Sequence, residues 1–265
     1  MNRRDRFLPP YIPTRRIAML LAILLLVSAA VAALSAGFEI SQIRLFAGAG
    51  GSAEITEAER WLHTFIRNAL LTTRLLLAAM IAAAFLAWLH RARVNARAFG
   101  CRRFRYSRIW TIIGFLIPIW NLFRPYQIVS EVWRASDPRA VETPTAWITM
   151  PLSRFVTAWW ATLLATVFLE ILAAGLANGS GSSSGELLAA RSVGVLAGIT
   201  YASSAILAYL VVSGITGMQA EKWAVVCAAD AEAAAADPCP IDLAMDPEPP
   251  ALEPRSIWKA STADT

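Results

Sequence analysis

Residues 90–136 read HRARVNARAFGCRRFRYSRIWTIIGFLIPIWNLFRPYQIVSEVWRAS, and the number of times the chain crosses a membrane turns on them. Seven arginines fall between Arg91 and Arg108, and an apolar run over 109–123 follows, broken by Pro118 and Asn121 and closed by Pro125. Those fifteen residues make only about 22 Å of helix against a hydrocarbon core of about 30 Å. Pro118 also removes a helical hydrogen bond near the middle of the run. The run is therefore expected to be a re-entrant or half-inserted element, whose freed backbone groups must meet protein or water. Beyond it, residues 125–136 place Ile128, Val129, Val132 and Trp133 on one helical face and Gln127, Glu131 and Arg134 on the other, the pattern of a helix lying along the membrane interface.

Working outward, the 265 residues are 57% hydrophobic, with a mean hydropathy of +0.50. A soluble domain of this size has no core large enough to hide that much apolar surface. Residues 17–38 carry no charge, a run of 22 positions that makes about 33 Å of helix. A signal peptide is the competing reading of this run, and the run is too long for a typical h-region. Thr56 and Glu59 form a capping box ahead of a long helical pattern that enters the membrane over about 68–89. Two more spans follow at about 155–176 and 192–215, separated by NGSGSSSG (178–185).

Charge sets the expected orientation. With 109–123 not crossing, 17 basic residues near the spans fall on the inner side and 4 on the outer; with it crossing, the split drops to 13 against 8. The first arrangement obeys the positive-inside rule better. It also places Trp88, Trp110, Trp147, Trp159, Trp160 and Trp223 together at one interface. The expectation is thus an all-α, polytopic membrane protein with four transmembrane helices plus a short re-entrant or interfacial broken helix, both termini cytosolic. Its parts are a basic N-terminus (1–16), a helical membrane domain (17–220) and an acidic, Pro/Ala-rich tail (221–265), which is expected to be disordered. Arginine outnumbers lysine 22 to 2 and alanine is abundant, pointing to a GC-rich bacterial genome and the bacterial inner membrane.

Several polar residues stand where a bilayer makes them costly. Arg74 and Glu170 each lie about six residues, or about 9 Å, inside the outer end of their spans. Pairing within the bundle is the cheapest way to carry such charges, so a contact between Arg74 and Glu170 is predicted. On the inner side Glu131 is the only acid between Glu59 and Asp137. Arg91 or Arg93, Asn95, Asn121 and Glu131 are expected to form one hydrogen-bonded clamp, satisfying backbone groups freed by Pro118 and Pro125. In the last span Gly194, Gly198 and Ala202 make a small-residue stripe that lets another helix approach closely, from this chain's own bundle or from a second copy.

The runs WLHRARVNARAFG (88–100) and GFLIPIWNLFRPYQIVSEVWRAS (114–136) resemble the bacterial membrane family known as domain of unknown function 4328. The likeness rests on Trp88, Arg91, Arg93, Asn95, Gly114, Pro118, Asn121, Pro125, Glu131, Trp133 and Ser136, with Phe115 where the family pattern has tryptophan. It extends over roughly 57–220, reaching Thr216, Met218 and Gln219. The resemblance implies an architecture and no activity.

Function classes narrow by what the residues lack. There are two histidines, His63 and His90, and no HExxH, nucleophile elbow, P-loop or paired cysteines, so no catalytic residue, metal ligand or cofactor is assigned. Cys101, Cys227 and Cys239 are odd in number and imply no disulfide framework. Arginine blocks beside apolar spans fit anionic lipid head groups or a protein partner, and not nucleic acid. The expected function is a noncatalytic membrane protein with a basic cytosolic face. A small oligomeric transporter or channel is second, and a lipid-modifying enzyme third.

Overall fold

The computed structural model describes residues 10–48, 56–105, 123–141, 143–177 and 184–236, and among these it is helical with no strand. Helix α1 spans Arg15–Gly48 and α2 spans Glu57–Ala98. Then come α3 (Arg124–Ala135), one 3-10 turn (Ala146–Thr149), α4 (Arg154–Ala177) and α5 (Ser184–Ala236). Helices α1, α2, α4 and α5 are long and apolar enough to cross a membrane. The run 109–123, apart from Phe123, lies outside the described residues, and with it Pro118, Asn121 and Trp110.

Local chemistry sets the helix ends. The Glu59 N–H donates to Thr56 Oγ1 at 3.3 Å, and the Thr56 N–H donates to the Glu59 carboxylate at 2.9 Å, so the capping box opens α2. At its other end, Gly100 takes a left-handed φ of 79°. The Gly100 N–H donates to the Arg97 carbonyl and the Cys101 N–H to the Ala96 carbonyl, which is a Schellman turn. Glycine is needed there because a side chain strains at that φ. The turn sends the chain back along α2 and drives Cys101 inward, where it is 5% exposed.

The four long helices alternate in direction. Ile12, just before α1, meets Asn95 near the end of α2, while Phe38 at the far end of α1 packs edge-on against His63 near the start of α2. Helix α4 runs back beside α2, with Trp159 against Phe85 at one end and Glu170 on Arg74 at the other. Helix α5 returns alongside α1, with Arg191 on Glu39 and Gly198 against Ala32 and Ala36. The starts of α1 and α4 and the end of α2 therefore share one end of the bundle, called here the basic end.

The core is concentrated toward that end. Trp88, Leu89 and Ala92 of α2, Ile128, Val129 and Val132 of α3, Val156 of α4 and Ile215 of α5 are wholly buried in one cluster. Farther along, Leu71, Leu75, Leu76, Phe168 and Ile171 stay exposed, the apolar surface that lipid covers in a spanning protein.

Three sequence expectations change. Helix α3 buries its apolar face in protein, with Ile128, Val129 and Val132 fully enclosed by the long helices, and so it offers little to lipid. Trp88, Trp147, Trp159 and Trp160 are core residues rather than an interfacial belt, buried in the clusters that also take in α3 and its following turn; Trp223 alone of the described set is partly open. Residues 221–236, expected in a disordered tail, continue α5, held by buried Lys222. The chain divides into two compact units, Met1–Ala228 and Ala229–Thr265, and of the second the described part is the helical stretch 229–236.

Candidate functional site

Two buried polar sets occupy the basic end, and α2 supplies one residue to each. Arg93 and Asn95 are two positions apart, about 200° around the helix, so they face opposite ways. The single clamp expected from Arg91 or Arg93, Asn95 and Glu131 is therefore two structures. Arg91 belongs to neither and is exposed.

The first set is built on Asn95, wholly buried. Its Oδ1 accepts the Ile12 N–H at 3.0 Å, and its Nδ2 donates to the Ile12 carbonyl at 2.8 Å and to Gln219 Oε1 at 3.2 Å. Gln219, also wholly buried, donates to the Ala92 carbonyl at 2.8 Å and to Ser136 Oγ at 3.1 Å. The Ser136 hydroxyl donates to the Val132 carbonyl at 2.7 Å. Three side chains thus tie α2, α3, α5 and the segment before α1 into one satisfied network. Tyr11 extends it outward, stacking on Trp223 at 4.8 Å and lying 5.6 Å from Phe99. Residues 10–14 form a strap without regular secondary structure, held by the Ile12 backbone and the Tyr11 ring.

Lys222 makes a second link from α5. It has no exposed surface, and its ammonium donates to the Ala135 and Ala140 carbonyls, both at 2.9 Å. It also reaches Cys101 Sγ at 3.8 Å and lies 5.7 Å from the Phe99 ring centre. Burial pushes the Cys101 thiol up, and the nearby Lys222 charge offsets part of that rise.

On the other face of α2, the Arg93 guanidinium stands 3.5 Å from the Glu131 carboxylate. Glu131 also accepts the Arg105 N–H at 3.1 Å. Its carboxyl lies above the usual range, because burial outweighs the attraction of Arg93. Phe104 is held under the Arg93 and Arg97 guanidiniums, at 5.2 and 5.9 Å, and stacks on Trp147 at 5.0 Å. The Arg102 N–H donates to the Pro144 carbonyl at 2.8 Å, and Trp147 Nε1 donates to the Arg102 carbonyl at 2.9 Å. The backbone is thereby held at Cys101, Arg102 and Arg105, on either side of Arg103, while the side chains of Arg102, Arg103 and Arg105 are exposed. Arg103 takes a φ of 63°, the only non-glycine residue among those described to do so. For a bulky side chain that costs roughly 1 kcal/mol.

The family described as domain of unknown function (DUF4328) matches residues 49–217. The chain belongs to the DUF4328 family. No curated protein and no solved structure matches it. Most of the site falls within the DUF4328 region, which holds Arg93, Asn95, Cys101, Glu131 and Ser136, whereas Gln219 and Lys222 lie just past its end and the strap lies well before its start. Pro125, inside the region, is buried in the first turn of α3, where its missing N–H is not needed.

The DUF4328 region also holds the charges of the opposite half. The Arg74 guanidinium donates to the Glu170 carboxylate and lies 5.1 Å from the Tyr201 ring centre, so α2, α4 and α5 meet there. Nearby, Arg191 and Glu39 pair at 3.1 Å between α5 and α1, an ion pair that the sequence reading missed. Of the small-residue stripe, Gly198 is the position in close contact: a Cβ there would stand 3.1 Å from the Ala36 Cβ. Gly194 faces open space and Ala202 is half-buried, so the partner of this stripe at Gly198 is α1 of the same chain.

Gln219 and Lys222 were the residues that motif reading undervalued. Their signal was periodicity: Ile215, Gln219 and Lys222 repeat at intervals of four and three, continuing the buried face of α5 past its apolar run.

Proposed function

We propose that this DUF4328 protein is a noncatalytic protein of the bacterial cytoplasmic membrane, with both termini in the cytosol, whose basic end binds anionic lipid head groups. The observation that carries the reading is the distribution of charge at that end. Arg15, Arg16, Arg91, Arg102, Arg103, Arg105 and Arg154 are all exposed, while Glu131 is turned inward onto Arg93. Basic residues at the edge of a spanning bundle attract anionic lipid by about 1 kcal/mol each. In this reading 109–123 is a re-entrant element that leaves and returns on the cytosolic side.

The test is a titration of the full-length protein, purified in neutral detergent, with phosphatidylglycerol and phosphatidylcholine carrying a fluorescent acyl chain. Tighter binding of phosphatidylglycerol is expected, with the preference shrinking as salt rises. Equal binding of the two lipids refutes the proposal.

A second reading, a small oligomeric transporter or channel, is favoured by one observation. Arg74 and Glu170 set a charged pair at membrane depth, with Glu170 41% exposed. Ion flux in liposomes that is lost on Glu170→Gln supports that reading, and absence of flux from the unaltered protein excludes it.

A further inference from the structure

We propose that the loop Cys101–Arg105 is the head-group site itself, a rigid mount that presents Arg102 and Arg103 to the phosphodiester of an anionic phospholipid. The inference rests on the lipid-binding reading above and deepens it by naming the residues.

Three observations meet in this loop. It is held on either side of Arg103: Cys101 is buried, the Arg102 N–H and carbonyl are both bonded, the Phe104 ring is stacked on Trp147, and the Arg105 N–H is tied to Glu131. A side chain whose stem is fixed in this way loses less freedom when it binds, so the mount is preorganised. Second, Arg103 occupies a left-handed backbone position that glycine would fill without strain, as Gly100 does three residues earlier. Arg103 is thus a strained residue, of the kind that clusters at ligand-binding sites. Left-handed φ here lets Arg102 and Arg103 both remain exposed while Phe104 turns inward beneath Arg93 and Arg97.

Third, depth selects the ligand. The loop folds back until the Arg105 N–H reaches Glu131, the partner of Arg93. Arg93 lies four residues past Leu89, where the apolar run of α2 ends, which is about 6 Å along the helix. The head-group layer is itself about 5–7 Å thick on each side of the hydrocarbon. Arginine matches a phosphodiester with two parallel N–H donors, which a lysine ammonium does not offer. An anionic phospholipid is therefore the occupant that geometry and charge both fit.

The test compares Arg103→Gly, Arg103→Ala and the double variant Arg91→Gln/Arg154→Gln with the unaltered full-length protein. Each is titrated with fluorescent phosphatidylglycerol, with phosphatidylcholine and inorganic phosphate as competitors, and each is followed through thermal unfolding. Arg103→Gly is expected to weaken phosphatidylglycerol binding about fivefold, the equivalent of one basic residue at the surface. Its unfolding midpoint should be unchanged or raised, since relief of strain offsets the added freedom of the unfolded chain. Arg103→Ala should bind as weakly, because it lacks the same guanidinium, and unfold earlier than Arg103→Gly. Phosphatidylcholine and inorganic phosphate should compete poorly. If Arg103→Gly binds like the unaltered protein while Arg91→Gln/Arg154→Gln binds more weakly, the basic end binds lipid elsewhere and the loop assignment falls alone. If inorganic phosphate competes as well as phosphatidylglycerol, the site reads a free anion and the lipid assignment falls. A lower unfolding midpoint for Arg103→Gly makes Arg103 a structural residue and overturns the proposal. If the unaltered protein shows no preference for phosphatidylglycerol, the lipid-binding reading falls with it.

Discussion

The Lys222 ammonium donates to the Ala135 carbonyl at 2.9 Å, joining the extension of α5 to the last residue of α3. It thereby satisfies a carbonyl that the end of α3 leaves without a helical partner, and its second bond, to the Ala140 carbonyl, ties in the turn that follows. A positive charge also complements the negative end of that helix. Lys222→Met keeps the length and removes the donor, so two buried carbonyls lose a charged partner. A loss on the order of 2–4 kcal/mol follows. It is read as a lower unfolding midpoint and as faster maleimide labelling of Cys101, in a protein whose Cys227 and Cys239 are serine. Lys222→Arg should not rescue, because a planar fork does not fit a cage shaped for one ammonium.

Asn95 reads the backbone of Ile12 through both its donor and its acceptor. Asn95→Leu removes both and leaves Gln219 Oε1 without that donor in a buried setting. The expected cost is about 1–3 kcal/mol. Cleavage by a protease before Arg15 should rise in the variant, because the strap loses its anchor. Asn95→Asp should not restore protection: a carboxylate accepts from the Ile12 N–H and donates to neither the Ile12 carbonyl nor Gln219. Unchanged cleavage in Asn95→Leu would show that Tyr11, stacked on Trp223, holds the strap alone.

How far the sequence reveals this arrangement depends on the range of each interaction. Long helices are legible because their signals are local: the charge-free run after Arg16, the Thr56–Glu59 box and the glycine and serine run after Ala177 each act within a few residues. The Arg74–Glu170 contact is legible as well, since a bilayer makes each charge costly and each is short of other partners. The division of the polar set into an Arg93 side and an Asn95 side follows from helix geometry alone, yet motif spacing disguises it, because both residues belong to one sequence pattern. What sequence conceals is the cover. Trp159 at the start of a span reads as an interfacial anchor until α3, defined far away in the chain, is seen to bury it. Lys222 falls in the stretch expected to be a disordered tail for the same reason, since its carbonyl partners lie 87 and 82 residues earlier.

Gly214 and Trp133 test how tightly α3 is seated. A Cβ on Gly214 would stand 3.0 and 3.1 Å from two atoms of the Trp133 ring. The ring is large and half-buried in the core, so it yields only by displacing α3. Gly214→Val should therefore destabilise by about 1–3 kcal/mol. Combining it with Trp133→Leu should recover part of that loss, because the smaller side chain vacates the space. Strictly additive effects on the unfolding midpoint would mean that the contact relaxes without strain.

The turn after α3 carries a pH dependence with a defined sign. Arg139 donates to the Asp137 carboxylate through its side chain, at 3.0 and 2.8 Å, and through its backbone N–H at 3.0 Å. Those bonds hold the Asp137 carboxyl below the usual range, chiefly through the side-chain hydrogen bond, with burial opposing. A folded value below the unfolded one contributes stability that is present above the unfolded range and lost as pH falls through the folded value. The difference in unfolding midpoint between the unaltered protein and Asp137→Asn should be largest near neutrality and should close below about pH 4. A difference that stays constant across that window would mean that the carboxylate charge has no part in holding the turn.

Arg74 and Glu170 pair between two helices long and apolar enough to cross a membrane, and their side chains are 19% and 41% exposed, so the pair is only partly enclosed. Glu170→Gln leaves the guanidinium facing a neutral amide and the Tyr201 ring, and Arg74→Leu leaves the carboxylate without its guanidinium. Each single change should lower stability, and the double variant Arg74→Leu/Glu170→Gln should lose less than the two losses added together. Hydrogen bonds between membrane helices couple by about 0.6 kcal/mol on average and by up to about 1.7. A coupling at the upper end of that range is expected, since both groups are charged and both helices are otherwise sparsely packed at this level. Unfolding in detergent measures it through a double-mutant cycle. Zero coupling would mean that the two charges are accommodated separately and that the contact does not hold α2 to α4.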